Sequence, residues 1–177
     1  DNNQLYKQLD AALTQRAHYV ELKEKSLNEI KQGAKYVTSN EDKLKLYEQL
    51  ANDYKAYEYD SAMTYVNKGL LLAQKSNNIL FNKRFRLSQT RLLITRGFYA
   101  EAKEILQKIA PQEDSHNYQF LYYYTLYELY NNWAAYCENN EFSKNYNQKK
   151  MEYLKKAIEL SPKKDAFYYY LLGELYY

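Results

Sequence analysis

Three stretches of this chain set a small or apolar residue seven positions after a first anchor, from 62 to 69, from 102 to 109 and from 150 to 157. In DSAMTYVNKGLLLA the pattern is carried by Ala62, Tyr65, Val66, Gly69 and Leu70. GFYAEAKEILQKIAP carries it on Gly97, Tyr99, Ala102, Ile105, Leu106 and Ile109, and KMEYLKKAIELSP on Tyr153, Leu154, Ala157, Ile158 and Pro162, with Lys150 as a weak anchor. A spacing of seven returns to the same side of an α-helix. A helical pattern that recurs along a chain describes one unit copied several times; one copy cannot bury its apolar face, so the copies must stack. The interval runs from Gly69 to Ile109 and on to Ala157, which is 40 and then 48 residues.

The rest of the chain is also helical in period. In LYKQLDAALTQRAHYVELKEKSLNEIK, Tyr6, Leu13, Val20 and Leu27 form one row, while Leu9 and Ile30 belong to a second row that Arg16 and Lys23 interrupt. A half-charged second row favours packing on neighbouring helices over a coiled coil. Gly33 and the polar TSNED end this helix, and Thr38, Ser39 and Asn40 are each competent to cap the next. Further breaks fall near Asp60, Asn77, Gly97, Pro111, Asn140 and Pro162, giving eight helical segments with the first and sixth long. Only four glycines and two prolines are present, too few for the turns of an all-β fold. The expected architecture is all-α, one domain over residues 1–177, with a long helix over 1–37 and helix pairs over 43–177.

The paired pattern resembles the tetratricopeptide repeat (TPR). Its first helix sets an aromatic three residues before Leu-Gly and then a Tyr, which Tyr169, Leu172, Gly173 and Tyr176 match, as do Tyr47, Leu50, Ala51 and Tyr54. The resemblance implies antiparallel pairs stacked as a right-handed superhelix of about three and a half repeats, the last incomplete, with first helices lining the concave groove. Small residues such as Ala51, Gly173, Ala62 and Ala102 would let helices approach. NKRFRLSQTRLLIT lacks the Leu-Gly signature, and NYQFLYYYTLYELYNNWAAY does not align uniquely.

A narrower likeness concerns the N-terminal part. Leu9, Asp10, Leu13, Arg16, Tyr19, Lys23 and Glu24, followed by Leu46, Tyr47, Tyr54, Tyr57, Asp60, Ser61, Ala62 and Tyr65, look like the start of bacterial membrane-bound TPR transcriptional regulators. In that family the array lies outside the cytoplasmic membrane, and a transmembrane helix, a coiled coil and a DNA-binding domain follow it. The resemblance implies an extracytoplasmic, sensor-like input region; without it a cytoplasmic location is the reading.

Catalytic and metal chemistry find no support in the residues. His18 and His116 stand far apart with no metal-type spacing, Cys137 has no positioned histidine, and no glycine-rich phosphate loop exists. Glu101 and Glu104 read as a solvated helix face. The net charge of +3 with a pI near 8.6 lacks the signature of nucleic-acid binding, which disfavours an RNA-binding repeat. No stretch approaches the roughly 20 apolar residues of a membrane span. The expectation is a non-enzymatic module without catalytic residue, metal or cofactor, whose partner is a protein or peptide segment.

The candidate groove residues are Arg84 and Arg91 from one first helix and Glu48, Asn52 and Lys55 from the preceding one. Arg84 and Arg91, seven apart, share a side and could take an acidic group such as a peptide carboxylate in a bidentate fork. Tyr123, Tyr127, Tyr130 and Trp133 are candidates on the tyrosine-rich helix, where residues 118, 122 and 126 mark one face and 123, 127 and 130 another. If they line the groove they offer flat, hydroxylated surface, and the rival reading is a small-molecule or glycan-binding module that stacks ligands there. The C-terminal segment is expected to be helical from Asp165 through Leu172 and to lean on Tyr153, Leu154 and Ala157. Its outer tyrosines, Tyr170 and Tyr177, are expected to fray or to meet another copy of the chain.

Overall fold

A computed structural model describes residues 2–112, 114–137, 141–162 and 164–176. Eight α-helices account for nearly all of them: α1 (Asn2–Gly33), α2 (Asn40–Lys55), α3 (Tyr59–Lys75), α4 (Ile79–Thr95), α5 (Tyr99–Lys108), α6 (His116–Tyr136), α7 (Phe142–Glu159) and α8 (Ala166–Tyr176), with a 3₁₀ turn at Ala34–Tyr36. No strand occurs among the described residues, so the chain is all-α. The break expected near Asn140 falls on residues 138–140, which lie outside those described, as does Tyr177.

Polar side chains start several of the helices. Ser39 Oγ accepts from the Asp42 amide at 3.1 Å, Asn78 Oδ1 from Phe81 at 3.1 Å, and Ser115 Oγ from Tyr118 at 3.3 Å. Glu58 caps α3 by accepting from the amides of Asp60 and Ser61. Each cap satisfies amides that the first turn leaves without a partner. Two helices stop on a left-handed residue, Asn77 (φ 52°) after α3 and Gly97 (φ 80°) after α4. At each, paired bonds close the end: Asn78 N–H to Ala73 O and Asn77 N–H to Gln74 O, then Phe98 N–H to Leu93 O and Gly97 N–H to Ile94 O. This is the Schellman arrangement, which turns the chain back on itself.

Pairs α2/α3, α4/α5 and α6/α7 form hairpins, and each first helix packs on the next, α2 on α4 and α4 on α6. The second helices interleave, α3 against α4, α5 against α6 and α7 against α8. The core runs through this stack in three joined parts. Leu50, Ala51, Tyr54, Ala62, Val66 and Phe85 fill the first, Ala102, Leu106, Tyr118, Tyr122, Leu129 and Tyr130 the second, and Phe120, Tyr127, Leu154, Ala157 and Leu171 the third. α4 and α6, which lack the small residue of the signature, each bury a threonine hydroxyl, Thr90 and Thr125. Each Oγ1 donates to the carbonyl one turn back, of Arg86 and of Leu121, so a hydroxyl sits in the core without loss of a hydrogen bond.

At the N-terminal end the structure departs from expectation. Only the C-terminal third of α1 packs on its neighbours: Leu27 is fully buried, Lys23 Nζ meets Asp53 Oδ1 at 2.7 Å, and Glu24 accepts from Tyr54 Oη at 3.0 Å and Tyr57 Oη at 2.8 Å. Residues 3–19 are exposed throughout, because α2 has ended where they begin. At the other end, α8 continues to Tyr176 and leans on Leu154 and Ala157 through Leu171, which is fully buried, while Tyr169 and Tyr170 stay exposed.

Candidate binding cleft

The α2, α4 and α6 side of the stack encloses a cleft of about 330 Å³. Glu48 and Asn52 line it from α2; Leu80, Arg84, Leu87, Ser88 and Arg91 from α4; and Ser115, Asn117, Tyr118, Leu121 and Thr125 from the start and body of α6. The α4 positions recur every three or four residues, which keeps one helix face toward the cleft along its length. None of the lining residues comes from α3, α5 or α7.

Arg84 and Arg91 both line the cleft, but each fork is already occupied. Arg84 Nε donates to Glu48 Oε1 at 2.7 Å, with a second bond from its Nη2 to Oε2. Arg91 Nε donates to Glu128 Oε2 at 2.7 Å and its Nη2 to Oε1 at 3.0 Å. The two arginines thus tie α4 to α2 and to α6. Their guanidinium planes lie over the rings of Phe81 (5.0 Å) and Tyr124 (5.4 Å), which limits their rotation. Lys83 Nζ closes a third link to Asp114, at 2.7 and 2.9 Å, and that hydrogen bond is the main reason the Asp114 carboxyl titrates below its usual range.

Lys55 differs from these. It is half-buried beside the Arg91–Glu128 pair and has no hydrogen-bond or ion-pair partner among the described residues. Burial, and secondly the positive charge of Arg91, push its ammonium below the ordinary lysine value, although Glu128 opposes this. With Arg84 and Arg91 paired, Lys55 is a cation near them without an ion-pair partner among the described residues.

The aromatic candidates fall elsewhere. Tyr127 and Tyr130 are each 3% exposed and belong to the core. Tyr127 Oη donates to Glu174 of α8 at 2.9 Å. Tyr130 and Tyr123 stack on Tyr153 of α7, and Trp133 lies 4.7 Å from Tyr146 and 5.7 Å from Tyr99. None of the four lines the cleft, so they do not form a stacking platform there. The reason is the position of α6, which has α4 and α5 on one side and α7 on the other. A helix apolar nearly all round is one buried nearly all round. The ring that does reach the cleft is Tyr118, whose Oη donates to the Ile109 carbonyl at 2.7 Å. Sequence reasoning left out Glu128 and Leu121, and weighed Tyr118 among the tyrosines of the helix without choosing it. The signal that could have found Glu128 is an opposite charge one repeat away: Arg84 and Glu48 are 36 apart, and Arg91 and Glu128 are 37 apart.

His18 and His116 are both exposed, and Cys137 is a half-buried free thiol at the C-cap of α6. No group of three or more metal-type ligands occurs among the described residues. The family model described as the SusR N-terminal TPR domain matches residues 13–177. No curated protein and no solved structure matches the chain.

Proposed function

The chain belongs to the SusR N-terminal TPR domain family, and we propose that it is an interaction module that holds a segment of a protein or peptide partner in the cleft between α2, α4 and α6. The observation that carries this reading is the composition of the cleft: leucines and a tyrosine supply apolar contact, asparagines and serines supply hydrogen bonds, and the two Arg–Glu forks hold the walls in place. Lys55, which is not itself a lining residue but lies near Arg91 and Glu128, adds a charge without an ion-pair partner among the described residues, suited to an acidic side chain or a chain-terminal carboxylate. The likeness of the N-terminal part to bacterial membrane-bound TPR regulators supports a further reading, in which the module is the input region of such a regulator and faces outward. No helix among the described residues is long and apolar enough to cross a membrane, so an anchor would be supplied by another part of the protein.

Peptides selected from a displayed library against the folded chain test the binding role. Ser88→Trp fills the cleft without touching the core, and Lys55→Met removes the free charge. Selected peptides are expected to lose roughly tenfold or more in affinity to the first variant and to lose salt dependence with the second. Peptides indifferent to both would place binding elsewhere. Alkaline phosphatase, active only outside the cytoplasm, fused to the full-length protein beside the module tests the orientation: an inactive fusion at normal protein level contradicts it.

A further inference from the structure

We infer that the overhanging part of α1 is a self-association surface that pairs antiparallel with the same segment of a second copy of this chain. Residues 3–19 form an exposed helical run in which Leu5, Tyr6, Leu9, Leu13 and Tyr19 are 52–65% exposed. These residues fall on one side of the helix, and that side continues the face that docks further on through Lys23, Leu27 and Ile30. Over residues 3–19 none of the described residues covers it. At about 1.5 Å per residue the run is about 25 Å long. A strip of this size is more than scattered surface leucines and marks an interaction site.

The charges on the strip select the occupant. Arg16 interrupts the second row, and Asp10 lies six residues, about one and two-thirds turns, before it. In a parallel in-register pair Arg16 would face Arg16 across the seam, two like charges in a desolvating contact. An antiparallel pair centred on Ala11 removes this conflict. Leu9 of each copy then meets Leu13 of the other, and Arg16 of each copy lies level with the Tyr6 ring and one turn from Asp10 of the other. The repulsion becomes a cation–π contact and an ion pair, each made twice by the two-fold axis. Each helix re-enters its own core at Lys23, beyond the overlap, and the folded bodies stand at opposite ends.

The test is the mass of the full chain over a concentration series by sedimentation, with charge exchange as the register probe. Wild type is expected to move from monomer to dimer. Leu9→Glu with Leu13→Glu should stay monomeric with an unchanged circular dichroism spectrum, since both side chains are solvent-exposed in the single copy. Asp10→Arg alone and Arg16→Asp alone should each weaken dimerisation roughly tenfold, and the double exchange should restore it. A chain that stays monomeric throughout overturns the inference. So does a dimer that survives the two glutamates, which would put the contact at α8 or elsewhere, or one in which the double exchange fails to rescue.

Discussion

Gly69 lies against the ring of Phe85: a Cβ built on Gly69 would stand 2.2 Å from Phe85 Cζ, inside the fully buried contact between α3 and α4. Gly69→Ala must therefore push a packed ring, and overpacking of this kind costs about 1–3 kcal/mol. At Gly173 on α8 the same Cβ would meet nothing within 4 Å. There alanine gains helix propensity, worth about 0.5–1 kcal/mol. Thermal or urea unfolding is expected to show opposite signs for the two variants. Equal effects would mean that α3 and α4 do not approach at Gly69 as described.

Arg91 and Glu128 couple α4 to α6 through a bidentate fork that is about a quarter exposed. A double-mutant cycle with Arg91→Met and Glu128→Gln should give a coupling of about 1 kcal/mol, the upper part of the range for partly exposed pairs, and salt should reduce it. A coupling of zero at low salt would contradict the description of the pair as a staple between helices.

Much of this arrangement was legible because the relevant signals are local. Ser39, Asn77 and Gly97 mark helix ends by capping chemistry and left-handed backbone, and Ala62, Ala102 and Ala157 mark buried seams by their size. Arg84 and Arg91 share a side because seven residues are two turns, and both line the cleft. What sequence could not supply was the other half of each contact. Glu48 and Glu128 satisfy those arginines from helices one repeat away, so the forks are occupied. The choice between groove and wedge on α6 was equally hidden, since rings surround the helix and only the neighbours decide which face is open. The loss of cover over residues 3–19 depends on where α2 ends relative to α1, which no periodicity within α1 records.

Glu24 anchors α1 by accepting from the hydroxyls of Tyr54 and Tyr57. Glu24→Ala leaves both phenols without that acceptor, at a cost of roughly 1–3 kcal/mol. Backbone amides of residues 20–33 should then exchange with deuterium faster, while those of α6 keep their rates. Unchanged exchange in α1 would show that Leu27 and Ile30 hold the helix without Glu24.

Phenols held un-ionised by the fold set the alkaline limit. Burial is the main cause that pushes Tyr54, Tyr122, Tyr124 and Tyr130 up to about 12, with Glu24 also acting on Tyr54. Their ordinary value is near 10. The folded state therefore keeps protons that the unfolded state releases. Their contribution is fully present below about pH 10 and is lost as pH rises through about 12. Melting temperature should fall over that window, and phenolate absorbance from the buried rings should rise together with loss of the helical signal. Full ionisation of all tyrosines near pH 10 with the helices intact would contradict the burial of these rings.

The binding role of the cleft is tested most directly by photo-crosslinking in cells that express the full-length protein. A photoreactive amino acid is placed at Asn52 or Ser88, inside the cleft, and in a control at Glu104, exposed on α5 and outside it. The predicted result is a discrete adduct with one polypeptide from positions 52 and 88, diminished when Lys55→Met is added, and none from position 104. Adducts from position 104 alone, with none from 52 or 88, would contradict the assignment of the cleft as the binding surface.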